Sequence, residues 1–156
     1  SPTSPRGLRT ASSSYGSMED PVNPLLYVLG YGCRFVAQGP PADMAQLGSL
    51  IEEGIRFPGF AFINVQSPCV TYGEPDSQLK VQKQRMRTLE SLGHDPTDRI
   101  KAMDLAQHYA TDLYTGVFYR DPNPPPHFGE YVAERQANIG AARERERVLD
   151  LFQPAS

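Results

Sequence analysis

Hydrophobic positions alternate between helical and strand spacing through the first half of the chain. Val22, Leu25, Leu26, Val28 and Leu29 form a short apolar stripe. Asp20 is a natural N-cap for it, Pro21 suits a first helical position, and Gly30 and Gly32 follow as stop signals. Cys33-Arg34-Phe35-Val36-Ala37-Gln38 then reads as a strand closed by Gly39-Pro40-Pro41. Asp43 with Gln46 resembles a capping box, and Met44, Leu47, Ile51, Gly54 and Ile55 fall at steps of 3, 4, 3 and 1, which predicts an amphipathic helix. Pro58-Gly59 ends it. Phe60-Ala61-Phe62-Ile63-Asn64-Val65 is a nearly unbroken apolar run of strand length, the pattern of an inner strand in a parallel sheet covered on both faces. Helix, strand, helix, strand is the rhythm of an α/β protein.

The second half is less regular. A helical pattern runs from about Gln78 to Leu92 and breaks at Gly93, and Asp95-Pro96-Thr97-Asp98 supplies cap, proline and acidic first turn for a helix carrying Ala102, Leu105, Ala106 and Tyr109. Tyr114 to Arg120 reads as a strand, and Asp121-Pro122-Asn123-Pro124-Pro125-Pro126 as a stiff connector. Tyr131, Val132, Arg135 and Ile139 predict a last helix, which Arg143-Glu144-Arg145-Glu146-Arg147 extends as a solvated charged face. Residues 1–20, rich in Ser, Pro, Thr, Gly and Arg, form a loop or tail. Neither an internal repeat nor a sustained heptad is present.

Composition narrows the function. The chain has 156 residues, enough for one domain with a core. Its net charge of −3 gives no broad attraction to nucleic acid or anionic lipid, so both are disfavoured as partners. Apolar runs fall short of the roughly 20 residues that span a bilayer and no signal-peptide core opens the chain, which predicts a cytoplasmic protein with no membrane partner. Its start at Ser1 without an initiator methionine predicts a chain that begins in mid-protein.

Two cysteines, Cys33 and Cys69, are too few to build a zinc or iron-sulfur site from this chain alone. Cys33 begins a buried-looking strand and reads as packing. Cys69 has two readings. A lone cysteine commonly serves as a small hydrophobe. Yet Ser67-Pro68-Cys69 is a stiff turn at the carboxyl end of a strand, where α/β proteins gather ligands, and a thiolate held there can ligate iron, attack an electrophile or relay redox change. His94, His108 and His127 share no metal-ligand spacing and read as structural. Dinucleotide, Walker and nucleophile-elbow motifs are absent. Arg6 and Arg9 among the hydroxyls of residues 1–17 give only a weak phosphate-binding signal.

Three segments together resemble the β subunits of 2-oxoacid:ferredoxin oxidoreductases, especially the 2-oxoglutarate type. They are Ser1 to Thr10 with Tyr15-Gly16 and Asn23-Pro24; Gly32 to Gln38 through Phe60 to Tyr72, which includes Ser67-Pro68-Cys69; and His94 to Arg99 with Thr115 to Arg120. The resemblance extends to about residue 136 and is most specific around Cys69. It implies the carboxyl-terminal half of a thiamin-diphosphate-binding parallel-sheet domain over residues 1–72, a family extension, largely helical, over 73–136, and a charged helix or tail over 137–156. It implies that Cys69 is one ligand of a four-iron four-sulfur cluster, the other three lying upstream. Ser1, Pro2 and Thr3 would line the neighbourhood of thiamin diphosphate, whose magnesium and main diphosphate contacts would precede Ser1. The implied reaction is oxidative decarboxylation of 2-oxoglutarate or a related 2-oxoacid to an acyl-coenzyme A, with electrons passed to ferredoxin. An α subunit would be the partner, and this piece alone would be inactive, with no catalytic residue of its own.

Two other readings remain at this stage. One is a non-redox thiamin 2-oxoacid decarboxylase in which Cys69 only packs. The other is a non-catalytic α/β assembly module whose last helix docks a partner through its apolar stripe.

Overall fold

The computed structural model describes residues 3–69, 71, 75–108 and 111–139. They fall into two compact units, one ending at Pro124 and the other beginning at Pro125.

The first unit is α/β. Helix α1 (Pro24–Tyr31) begins at Asn23, whose side chain accepts from the backbone N–H groups of Leu25 and Leu26, and ends at Gly32 in the left-handed conformation at φ 98°. The helix therefore starts three residues later than the expected Asp20-Pro21 signal, because Asn23-Pro24 offers the same cap-and-proline pair closer to the apolar stripe. Asp20 instead pairs with Arg6 on the surface.

Strand β1 (Phe35–Gly39) is buried at every position. It leads through helix α2 (Met44–Arg56) to strand β2 (Ala61–Val65), which pairs with it in parallel register from Phe35 opposite Ala61 to Gly39 opposite Val65. The predicted cap holds: the Asp43 carboxylate accepts from the N–H of Gln46 at 3.0 Å. Helix α2 presses Leu47, Leu50 and Gly54 inward, and a Cβ added to Gly54 would come within 2.6 Å of Ile63 Cδ1. Glycine is what lets helix and strand approach so closely.

The predicted Gln78–Leu92 helix divides. Helix α3 (Pro75–Arg85) gives way to the three-residue strand β3 (Met86–Thr88), then to a single 3-10 turn at Glu90–Leu92. So short a strand leaves no two-residue alternation to read. Helix α4 (Arg99–Gln107) is capped by Asp98 rather than Asp95, the Asp98 carboxylate accepting from Lys101 N–H at 2.9 Å.

Strand β4 (Leu113–Arg120) completes a sheet of order β2-β1-β4-β3. Two of its pairings are parallel; the central one, β1 with β4, is antiparallel and carries a bulge beside Val36 and Ala37. Gly116, opposite Gln38, takes φ 118°, a conformation that only glycine adopts without strain. The α/β class agrees with the sequence. Strand β2, expected inside the sheet, stands at its edge, half-buried, with β1 as its one neighbour among the described residues.

Apolar layers fill both faces. Leu25, Leu29, Cys33, Val36, Ala102, Ala106, Phe118 and Tyr119 form one core under α1 and α4. Phe35, Ala37, Leu50 and Phe57 form the other, with Ile63 and Val117 packed against it. In the second unit, helix α5 (Phe128–Ile139) contains the expected Tyr131, Val132 and Arg135. The charged run 143–147 lies outside the described residues.

Candidate functional site

Strand β2 ends at Val65, and the chain leaves the sheet through Gln66, Ser67, Pro68 and Cys69. This is the carboxyl end of both parallel strands, as the sequence predicts. Cys69 is exposed, Cys33 is buried, and neither is in a disulfide. The Cys33 thiol donates to the carbonyl of Phe35 at 3.2 Å and lies 3.7 Å from that of Phe60, so its surroundings are those of a packed core sulfur.

A web of carboxamides lies at the root of the Cys69 loop. Gln38, only 1% exposed, donates from Nε2 to the carbonyl of Tyr114 at 2.8 Å. Its Oε1 accepts from Asn64 Nδ2 at 2.6 Å and from Gln66 Nε2 at 3.1 Å. Gln82, on α3, donates to the backbone carbonyl of Gln66 at 3.0 Å, and the Gln66 N–H donates to the carbonyl of Gly39 at 3.1 Å. Sequence reading passed over these residues. The signal was a single glutamine inside an otherwise apolar strand, since a buried amide survives only where its partners are built around it.

The three histidines make local contacts. His94 Nε2 lies 2.7 Å from the Phe118 carbonyl; because that oxygen only accepts, Nε2 carries the proton. His108 caps α4 and meets the Tyr114 ring edge-on, and His127 N–H donates to Glu130. Asp95 closes a small turn by accepting from both the N–H and the hydroxyl of Thr97, which lowers its carboxyl below the ordinary value of 3.8. Away from Cys69, a cleft of about 370 Å³ opens between α2 and β4 with Glu53, His94 and Thr115 in its walls. It contains no cysteine.

Among the described residues no three His, Cys, Asp or Glu side chains gather to hold a metal ion. None of the described helices is long and apolar enough to cross a membrane. Ser1 and Pro2 lie outside the described residues, and Thr3 is exposed in a loop whose turns are closed by Gly7 N–H to the Ser17 carbonyl and Ser17 N–H to the Leu8 carbonyl.

Comparison with known proteins finds similar chains. Residues 69–136 match the family model for the C-terminal region of the pyruvate ferredoxin oxidoreductase β subunit, a match that begins at Cys69 itself. The 2-oxoacid:ferredoxin oxidoreductase subunit beta of Sulfolobus sp is 31% identical over 135 residues, covering 80% of this chain and 44% of the relative. The 2-oxoglutarate synthase subunit KorB of Methanocaldococcus jannaschii is 39% identical over 72 residues, 46% of this chain and 27% of that protein. Among solved structures, the 2-oxoglutarate:ferredoxin oxidoreductase from Magnetococcus marinus, with 2-oxoglutarate, coenzyme A and succinyl-CoA bound, aligns with 99% of this chain and 52% of its own at a TM-score of 0.80 and 28% identity. The chain thus spans less than half the length of the curated relatives it matches.

Proposed function

The chain is a relative of the β subunits of 2-oxoacid:ferredoxin oxidoreductases, and from that premise we propose that it serves as the carboxyl-terminal part of such a subunit. The complete enzyme would oxidise 2-oxoglutarate or a related 2-oxoacid to its acyl-coenzyme A and pass electrons to ferredoxin, together with an α subunit, in the cytoplasm. Residues 1–72 would close the thiamin-diphosphate-binding domain, residues 73–136 would form the family extension and 137–156 a charged tail. Ser1, Pro2 and Thr3 would border the cofactor without supplying its magnesium ligands.

The observation that carries this reading is the exposed Cys69 thiol on a braced loop at the carboxyl end of β2, at the residue where the family match begins. A cysteine thiolate is the donor that iron-sulfur clusters take, so the donor type fits. A four-iron cluster takes four such ligands, and this chain offers one exposed thiol, so it would complete a cluster rather than build one. When bound, the cluster supplies one-electron transfer; the chain's own task is to hold one sulfur at a fixed place.

The test uses the full-length subunit assembled with its partner and purified without oxygen. Iron and sulfide are expected in the native protein, and Cys69→Ser is expected to lose most of both while the subunit stays folded by circular dichroism. Full retention of iron and sulfide in Cys69→Ser overturns the proposal.

A further inference from the structure

We infer that Gln38 and Gln82 are positioning residues that set the pose of the Cys69 thiol through Gln66, an inference that rests on Cys69 being a cluster ligand. Surface loops are ordinarily the mobile parts of an α/β protein. This one is fastened at its first residue from three directions. The Gln66 N–H donates to Gly39 at the end of β1, its side-chain amide donates to Gln38 Oε1, and its carbonyl accepts from Gln82 Nε2 on α3.

Little freedom remains between that anchor and the sulfur. Ser67 N–H is tied to the Val65 carbonyl at 3.0 Å. Pro68 fixes its own φ and biases Ser67 toward extended conformations. Gln66 thus bears on the place of Cys69, and Gly39 and the two glutamines hold Gln66.

Gln38 is the unusual member. Its neighbours Phe35, Val36 and Ala37 are apolar, and an apolar side chain of similar volume would fill its site without needing three hydrogen-bond partners. With those partners in place, removing the amide strands two donors and one acceptor, so satisfying them is one part of its role. What the amide adds is a link: one side chain joins β1 to Asn64 on β2, to Tyr114 on β4 and to the Cys69 loop. Groups that orient a metal ligand from behind commonly alter how the metal is held and the potential of the centre.

The experiment compares native full-length subunit with Gln38→Leu and Gln82→Leu, and with Gln84→Leu as an exposed control on the same helix. The first readout is the alkylation rate of the Cys69 peptide, resolved by mass spectrometry, in folded subunit freed of its cluster. Each of the two variants is expected to raise that rate roughly fivefold, the scale of one lost hydrogen bond. The second is the cluster's midpoint potential in the assembled enzyme, expected to shift in both variants and not in the control. Native alkylation rates and an unmoved potential in Gln82→Leu overturn the inference. Gln82 is partly buried but belongs to neither apolar core, so that variant decides even where Gln38→Leu fails to fold. Cys69→Ser separates the two layers: iron retained there defeats the underlying reading, whereas iron lost there with native-like glutamine variants defeats only the positioning role.

Discussion

Asn23 and Ala106 join the start of one helix to the end of another through one carboxamide. Its Oδ1 accepts from the first free N–H groups of α1, and its Nδ2 donates to the Ala106 carbonyl at 2.7 Å, near the end of α4. Removing that side chain leaves unmet donors at the start of α1 and removes the bond that ties them to α4, whose Ala106 carbonyl keeps the His108 N–H. Asn23→Ala is expected to lower the stability of the intact subunit by about 2 kcal/mol, the sum of a lost cap and a lost hydrogen bond. Asn23→Asp retains the cap but sets a carboxylate oxygen against the Ala106 carbonyl, so it should still lose the contribution of that bond. Equal urea midpoints for native and Asn23→Ala would contradict this.

Gly54 sets the distance between α2 and β2. The Cβ of an alanine there would meet Ile63 Cδ1 at 2.6 Å, too close for either atom to stay in place. Ile63 Cδ1 ends a rotatable side chain, so Gly54→Ala should destabilise by at most about 1 kcal/mol, an off-rotamer cost partly offset by alanine's better helix propensity. Ile63→Val removes the colliding methyl, so Gly54→Ala combined with Ile63→Val should be more stable than Gly54→Ala alone. Simple additivity of the two single losses would show that the contact is not the cause.

How far the sequence foretold this structure depends on how local each signal is. Asp43 with Gln46 and the α2 stripe lie within one helix, and they appear where expected. Helix α1 starts later than expected because Asp20-Pro21 and Asn23-Pro24 carry the same chemistry, and Asn23-Pro24 lies nearer the apolar stripe and bonds to Ala106 across the fold. Strand β3 escaped notice because three residues have no period, and the antiparallel joint between β1 and β4 is a long-range pairing with no local mark. At the site, the Ser67-Pro68-Cys69 turn was readable from proline and position. Its bracing was not, since Gln38, Gln66 and Gln82 are spread over 45 residues of chain and meet only in the fold.

Asp95 makes a pH-dependent turn. Two bonds from Thr97 favour its charged form and lower its pKa, with a smaller contribution from nearby His94. A group whose folded pKa is depressed gives stability that is present above its ordinary value of 3.8 and is lost as pH falls through the lower folded value. A carbon-13 titration of the Asp95 carboxyl should inflect below 3.8, and Thr97→Ala should move the inflection upward. A midpoint at or above 3.8 in the native protein would remove the argument.

Cys33 offers the contrast to Cys69. It is buried among Leu25, Leu29 and Val36 with its thiol turned to the Phe35 carbonyl. Cys33→Ala should cost about 1–2 kcal/mol in stability, the scale of a small void in a packed core, while iron and sulfide in the assembled enzyme stay at native levels. Loss of iron in Cys33→Ala at unchanged stability would reverse the roles assigned to the two cysteines.

The edge of β2 supplies the last expectation. Its five residues pair with β1 on one side, and among the described residues no strand lies on the other. An open edge carries a row of backbone donors and acceptors ready to pair with another chain, and β2 has no charged or proline residue from Ala61 to Val65 to deter it. Phe60, immediately before it, is 70% exposed. The 156-residue chain produced alone should therefore associate in a concentration-dependent way on size-exclusion chromatography, and a lysine introduced as Phe60→Lys should weaken that association. A cooperative thermal transition of a strictly monomeric chain, independent of concentration, would show that the β2 edge is stable as it stands.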